Sequence, residues 1–92
     1  IDVYADWCIP CKEMDKFTFP DREVVNLSKK FTAIKIDMTR DTGEFEKYFL
    51  KEYSIKGVPS YIFLKNGVEH TSLRSTGYEN ADDFLKRMKK AL

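Results

Sequence analysis

A chain of 92 residues, 42% of them hydrophobic and 14% aromatic, suffices for one small domain with its own apolar core and no need of a staple. Its 16 basic and 15 acidic residues leave a formal net charge of +1, so no field selects nucleic acid or an anionic membrane as partner. No apolar run reaches the roughly 18 residues of a membrane span, which speaks against insertion by this domain itself.

The chain opens on Ile1-Asp2-Val3-Tyr4, without an initiator Met or a signal-peptide pattern. Those residues read as the inside of a strand, and the chain is expected to be a piece of a longer polypeptide. Ile1 to Ala5 is β-rich and predicts a central strand. From Cys8 the pattern turns helical, with Pro10 tolerated in the first turn, and Met14, Phe17 and Phe19 form an apolar face. Pro20 disfavours helix at Phe19, so a break is expected there, with Asp21 as N-cap of a second short helix running to Lys30.

Phe31 to Asp37 alternates and predicts the next strand. Asp41 and Glu44 have capping-box spacing and open a helix through Phe45, Tyr48, Phe49 and Tyr53, whose aromatic stripe is read as core. After Gly57-Val58-Pro59-Ser60, the runs Tyr61–Leu64 and Val68–Leu73 flank Lys65-Asn66-Gly67, a strong hairpin signal. The last helix starts at Asn80, turns Phe84, Leu85 and Met88 inward, and ends in cations that suit its dipole. The order β-α-β-α-β-β-α predicts an α/β domain with a mixed four-stranded sheet and helices on both faces.

The chemistry sits in Trp7-Cys8-Ile9-Pro10-Cys11-Lys12. Cys8 falls where the strand ends and the helix begins, beside free N–H groups that favour its thiolate. Cys11 lies one turn on, within bridging reach and on the less exposed side. Cys8 is therefore read as the nucleophile and Cys11 as the resolver of a mixed disulfide. Trp7 and Pro10 supply a rigid apolar rim for substrate. Two blander readings compete: a structural bridge gains little chain entropy from so short a loop. Half a zinc site lacks partners, since His70 alone remains, read as an exposed strand residue. Glu13 and Asp6 are read as surface acids. No cofactor or metal is expected beyond the Cys8–Cys11 dithiol.

Asp2 through Lys12 resembles the active-site segment of thioredoxins. The variant Tyr4-Ala5-Asp6-Trp7-Cys8-x-x-Cys11-Lys12 is most similar to the C-terminal, periplasmic thioredoxin-like domain of the bacterial DsbD thiol:disulfide interchange proteins. Thr18-Phe19, Gly57-Val58-Pro59 and Gly77-Tyr78 extend the likeness over nearly the whole chain, with the N-terminal strand and helix of a full thioredoxin absent. The resemblance implies that Pro59 is the family's cis-proline, leaving the backbone at Val58 free to pair with an extended substrate segment; an ordinary strand-start proline is the alternative. It places Asp2 at the family's buried carboxylate, raised in pKa and able to take the proton of Cys11. It also places Asp15 near the site, with a solvated surface acid as the competing reading.

Oxidants of this fold carry a His between the cysteines. Ile9-Pro10 and the nearby acids favour a reductant instead. The resemblance implies a monomeric relay domain in the periplasm, fed by a membrane-embedded donor and acting on protein thiols and disulfides. A soluble, cytoplasmic general reductase and a non-catalytic binding or chaperone module are the alternatives.

Overall fold

A computed structural model of the protein describes residues 1–40 and 43–92. The strands are β1 (Asp2–Tyr4), β2 (Lys35–Asp37), β3 (Ser60–Tyr61), β4 (Leu64–Lys65), β5 (Val68–Glu69) and β6 (Ser75–Thr76). The α-helices are α1 (Ile9–Glu13), α2 (Arg22–Ser28), α3 (Glu44–Glu52) and α4 (Ala81–Ala91). The main sheet runs β2-β1-β3-β6, with β1 and β2 parallel and the two remaining pairings antiparallel. This is the mixed four-stranded sheet that the sequence predicts.

Side-chain alternation along β1 divides the core. Val3 points to one face and joins Ile36, Met38, Ile55 and Ile62, with Phe49, Leu50 and Tyr53 of the α3 side packed against them. Asp2 points the other way, toward the face built by Met14, Val24, Tyr61, Phe84, Leu85 and Met88. Phe19 closes that face with edge-on contacts to Tyr61 and Phe84, each with ring centroids 5.6 Å apart.

Helix starts follow local rules. The Asp21 carboxylate accepts from Glu23 N–H at 3.0 Å and Val24 N–H at 3.2 Å, and the Asn80 side chain accepts from Asp83 N–H at 2.9 Å. The Asp41 half of the capping box lies outside the described residues, and among those described α3 begins after Gly43 with no side-chain cap.

Five expectations need correction. Phe17 is 56% exposed, because α1 continues into a π-helical turn over Met14–Thr18. The wider turn carries Met14 and Thr18 inward and swings Phe17 out. Phe45 and Tyr48 are exposed too. The stripe on α3 stacks within itself, Phe45 on Phe49 and Phe49 on Tyr53, while only Phe49, Leu50 and Tyr53 reach the core. The long strand 31–37 forms ladder pairs only at Lys35–Asp37, since Phe31 closes a turn after α2 and its ring packs on Phe63. Finally, the Asn-Gly turn joins β4 to β5 in a separate two-stranded ribbon, and Ser75–Thr76 pairs with β3 in place of Val68–Leu73. Asn66 and Gly67 take φ of 54° and 80°, as that turn requires. His70 is exposed and caps a 3-10 turn over Thr71–Leu73, so it is not on a strand.

Candidate active site

β1 delivers the chain through Ala5, Asp6 and Trp7 to Cys8, the N-cap of α1. Pro10 sits in the first turn, where its missing N–H leaves no bond unmade. Cys8 and Cys11 are joined by a disulfide with Cα atoms 5.3 Å apart, within the ordinary range for such a bridge. Cys8 Sγ accepts from the Cys11 backbone N–H at 3.2 Å. The first sulfur therefore faces a free donor of the helix start, the contact that stabilises a thiolate once the bond is reduced.

Exposure does not separate the two sulfurs. Cys8 is 4% and Cys11 5% exposed, whereas the sequence predicts Cys11 as the more covered of the pair. As N-cap, Cys8 turns its side chain in over the helix start, where both cysteines pack with Ala5, Tyr4 and Val58. The difference between them thus lies in hydrogen bonding.

Val58 belongs to the Cys8–Cys11 cluster, and the Val58–Pro59 peptide is cis, with Pro59 fully buried. The loop is fixed from two sides: Ser60 Oγ donates to Gly57 C=O at 2.7 Å, and Gly77 N–H donates to Pro59 C=O at 3.2 Å. Gly77 makes that contact with φ of 79°, a conformation that favours glycine. A recess of about 370 Å³ lies along this loop, lined by Lys56, Gly57, Val58, Pro59, Arg74 and Gly77 among others. Trp7 and Ile9 stand out at the rim, 65% and 70% exposed.

Asp2 and Asp15 line a second groove together with Tyr61 and Lys35. Asp2 is half-buried, and its Oδ1 is buried without a hydrogen-bond partner among the described residues. Burial raises its pKa from 3.8 to about 6; Lys35 opposes the rise and the charge of Asp15 adds to it. Burial, together with the charges of Asp2 and Asp15, also pushes the Tyr61 phenol well above its ordinary value. Asp15 itself is exposed.

Two sets of contacts at the site escaped the sequence reading. The loop after β2 reaches across to the loop after β1: Thr39 Oγ1 accepts from Asp6 N–H at 2.9 Å, and Thr39 C=O accepts from Trp7 Nε1 at 3.1 Å. The run Asp37-Met38-Thr39, an acid two residues before a hydroxyl just past a strand, was the available signal. In the π-helical turn that follows α1, Thr18 Oγ1 donates to Glu79 C=O at 2.6 Å, and Glu79 N–H lies 3.3 Å from Met14 Sδ. Nothing local marks that clasp. Among the described residues, no three His, Cys, Asp or Glu side chains converge as metal ligands, and no helix is long and apolar enough to cross a membrane.

The arrangement has known kin. The family model of the thioredoxin-like domain matches residues 1–92. The thiol:disulfide interchange protein DsbD of Haemophilus ducreyi is 38% identical over 86 residues, covering 92% of this chain and 15% of that protein. DsbD of Pseudoalteromonas atlantica is 38% identical over 93 residues, covering 100% of this chain and 16% of the relative. The chain thus spans about a sixth of the length of these relatives. The crystal structure of the DsbD C-terminal domain of Neisseria meningitidis, in its reduced form, superposes with a TM-score of 0.82 at 31% identity. It covers 99% of this chain and 77% of that one. A Thermus thermophilus thioredoxin, with a TM-score of 0.75 at 23% identity, shares the fold. With its whole length matched and a CxxC disulfide at the strand-to-helix junction, the chain belongs to the thioredoxin-like family, alongside the C-terminal domain of DsbD.

Proposed function

We propose that the protein is a thiol–disulfide oxidoreductase working as a reductant, in the manner of a DsbD relay domain. The observation that carries this reading is the Cys8–Cys11 disulfide at the start of α1, with Cys8 Sγ facing the Cys11 N–H. In the dithiol form, the Cys8 thiolate attacks one sulfur of a substrate disulfide; that bond breaks and its second sulfur leaves as thiolate. Cys11, losing its proton, then attacks Cys8 Sγ, expels the first substrate sulfur and closes the disulfide. Two electrons pass to the substrate. A donor dithiol restores Cys8 and Cys11 by the reverse exchange.

Asp2 is the proton acceptor for Cys11 in this scheme. Its pKa of about 6 puts it near neutrality, where a carboxylate is both ionised and basic enough to act. Substrate docks as an extended segment along Val58 and Pro59, between the apolar rim at Trp7 and the recess beside Gly77. Ile9 and Pro10 place no imidazole beside Cys8, and the charges of Asp2 and Asp15 oppose a second anion. Both effects keep the thiol a good donor. A membrane-embedded dithiol as donor and the periplasm as location complete the reading, supported by the match to DsbD.

The test is reduction of insulin by the dithiol form, together with the reduction potential. Dithiol-dependent turnover and a potential below that of disulfide isomerases support a reductant. A potential at or above theirs overturns the direction, and no turnover leaves a binding module. Membrane-spanning segments in the gene upstream of Ile1 separate the relay from a soluble reductase.

A further inference from the structure

Trp7 is 65% exposed, so packing alone does not fix its ring. Its indole N–H is nevertheless tied to the Thr39 carbonyl, and the preceding residue, Asp6, donates its backbone N–H to the Thr39 hydroxyl. Thr39 is held in turn. Its N–H donates to Asp37 Oδ1 at 2.9 Å, and its hydroxyl hydrogen goes to that same oxygen. A hydroxyl has one hydrogen to give, and with it committed to Asp37 the lone pairs are left to face Asp6. The N–H, the C=O and the hydroxyl of Thr39, the last as both donor and acceptor, are therefore all engaged, linking the loop after β2 to the two residues before the nucleophile. Hydrogen bonds from Thr39 hold the Asp37 carboxyl below the usual carboxylate range, so it stays an acceptor throughout neutral pH.

We propose that Thr39, locked by Asp37, is a positioning residue that fixes the Trp7 indole at the mouth of the Cys8–Cys11 disulfide and so shapes the rim that receives a protein substrate. This rests on the reductase reading for its consequence, and on hydrogen-bond geometry for its structure. A protein disulfide must meet the rim, whereas a small disulfide needs only the sulfur. Loosening Trp7 therefore reduces selectivity for proteins.

Trp7 is the only tryptophan in the chain, so its fluorescence reports the rim directly. The experiment compares the wild type with Thr39→Val, which keeps the shape and loses the hydroxyl, and with Thr39→Ser, which restores it. Fluorescence anisotropy, acrylamide quenching and the ratio of insulin reduction to reduction of a small aromatic disulfide are measured on each. Thr39→Val is expected to lower the anisotropy, raise quenching and reduce the ratio several-fold, and Thr39→Ser to return all three toward wild type. Unchanged Trp7 signals in Thr39→Val overturn the proposal, as does a failure of Thr39→Ser to rescue them. Should Thr39→Val lose its far-ultraviolet dichroism, Asp37→Ala, made at an exposed position, removes the lock and is judged by the same readouts. A wild type inert toward insulin refutes the reductase reading, and the Trp7 signals still decide the positioning.

Discussion

Asp15, exposed on the turn that continues α1, raises the pKa of half-buried Asp2 across the groove they share. Removing that charge in Asp15→Asn is expected to lower the Asp2 midpoint, by less than burial raises it, because an exposed charge acts through screening solvent. Carbon-13 titration of the Asp2 carboxyl checks this directly. A midpoint that stays in place would uncouple the two acids.

The same carboxyl gives stability a pH dependence of definite sign. Its folded-state pKa stands above the ordinary 3.8, so the folded protein keeps the proton to higher pH than the unfolded chain. The penalty is absent below 3.8, grows up to about 6 and is complete above that. At full strength the gap amounts to about 3 kcal/mol, reduced to about 1–2 kcal/mol because the group keeps part of its solvent contact. Asp2→Asn should therefore stabilise the protein near neutral pH and leave it unchanged in acid. Urea unfolding at both pH values is the check, and an equal effect at the two would refute it.

Cys11→Ser is expected to trap a mixed disulfide between Cys8 and a substrate, with turnover falling to background. Mass spectrometry of the trapped peptide identifies the attacking sulfur. Trapping by Cys11 in the reciprocal Cys8→Ser variant would reverse the two roles.

The clasp between the π-helical turn and Glu79 should be costly to open. Thr18→Val leaves the buried contact of Glu79 C=O unmade, at about 1–3 kcal/mol. Met14→Ala empties a site with no solvent exposure, at about 2–5 kcal/mol. Thermal unfolding measures both, and a Thr18→Val variant as stable as wild type would show that the bond to Glu79 carries nothing.

What could be read in advance follows how far each signal reaches along the chain. The Cys8–Cys11 pair and the caps at Asp21 and Asn80 are set by residues within one turn, and all stand where expected. Periodicity cannot place Phe17, because the π-helical turn is held by Glu79, which is 61 residues from Thr18 and 65 from Met14. Helical periodicity marks the aromatic face of α3 but carries no information on what covers it, so it predicts core where Phe45 and Tyr48 are exposed. Ser75 and Thr76 are small and polar, with little strand signal of their own. They pair with β3 because the 3-10 turn and Leu73 deliver them to its edge. Thr39 is hidden in the sequence for a similar reason: its contacts go to residues 32 and 33 positions away.

The ribbon of β4 and β5 also has a practical use. Its tip, Lys65 to Val68, is exposed, and its residues take no part in the cluster around Cys8 and Cys11. Exposed loop tips of this kind accept insertions well. A dye or an affinity peptide grafted between Asn66 and Gly67 would mark the protein for tracking while leaving its sulfur chemistry alone.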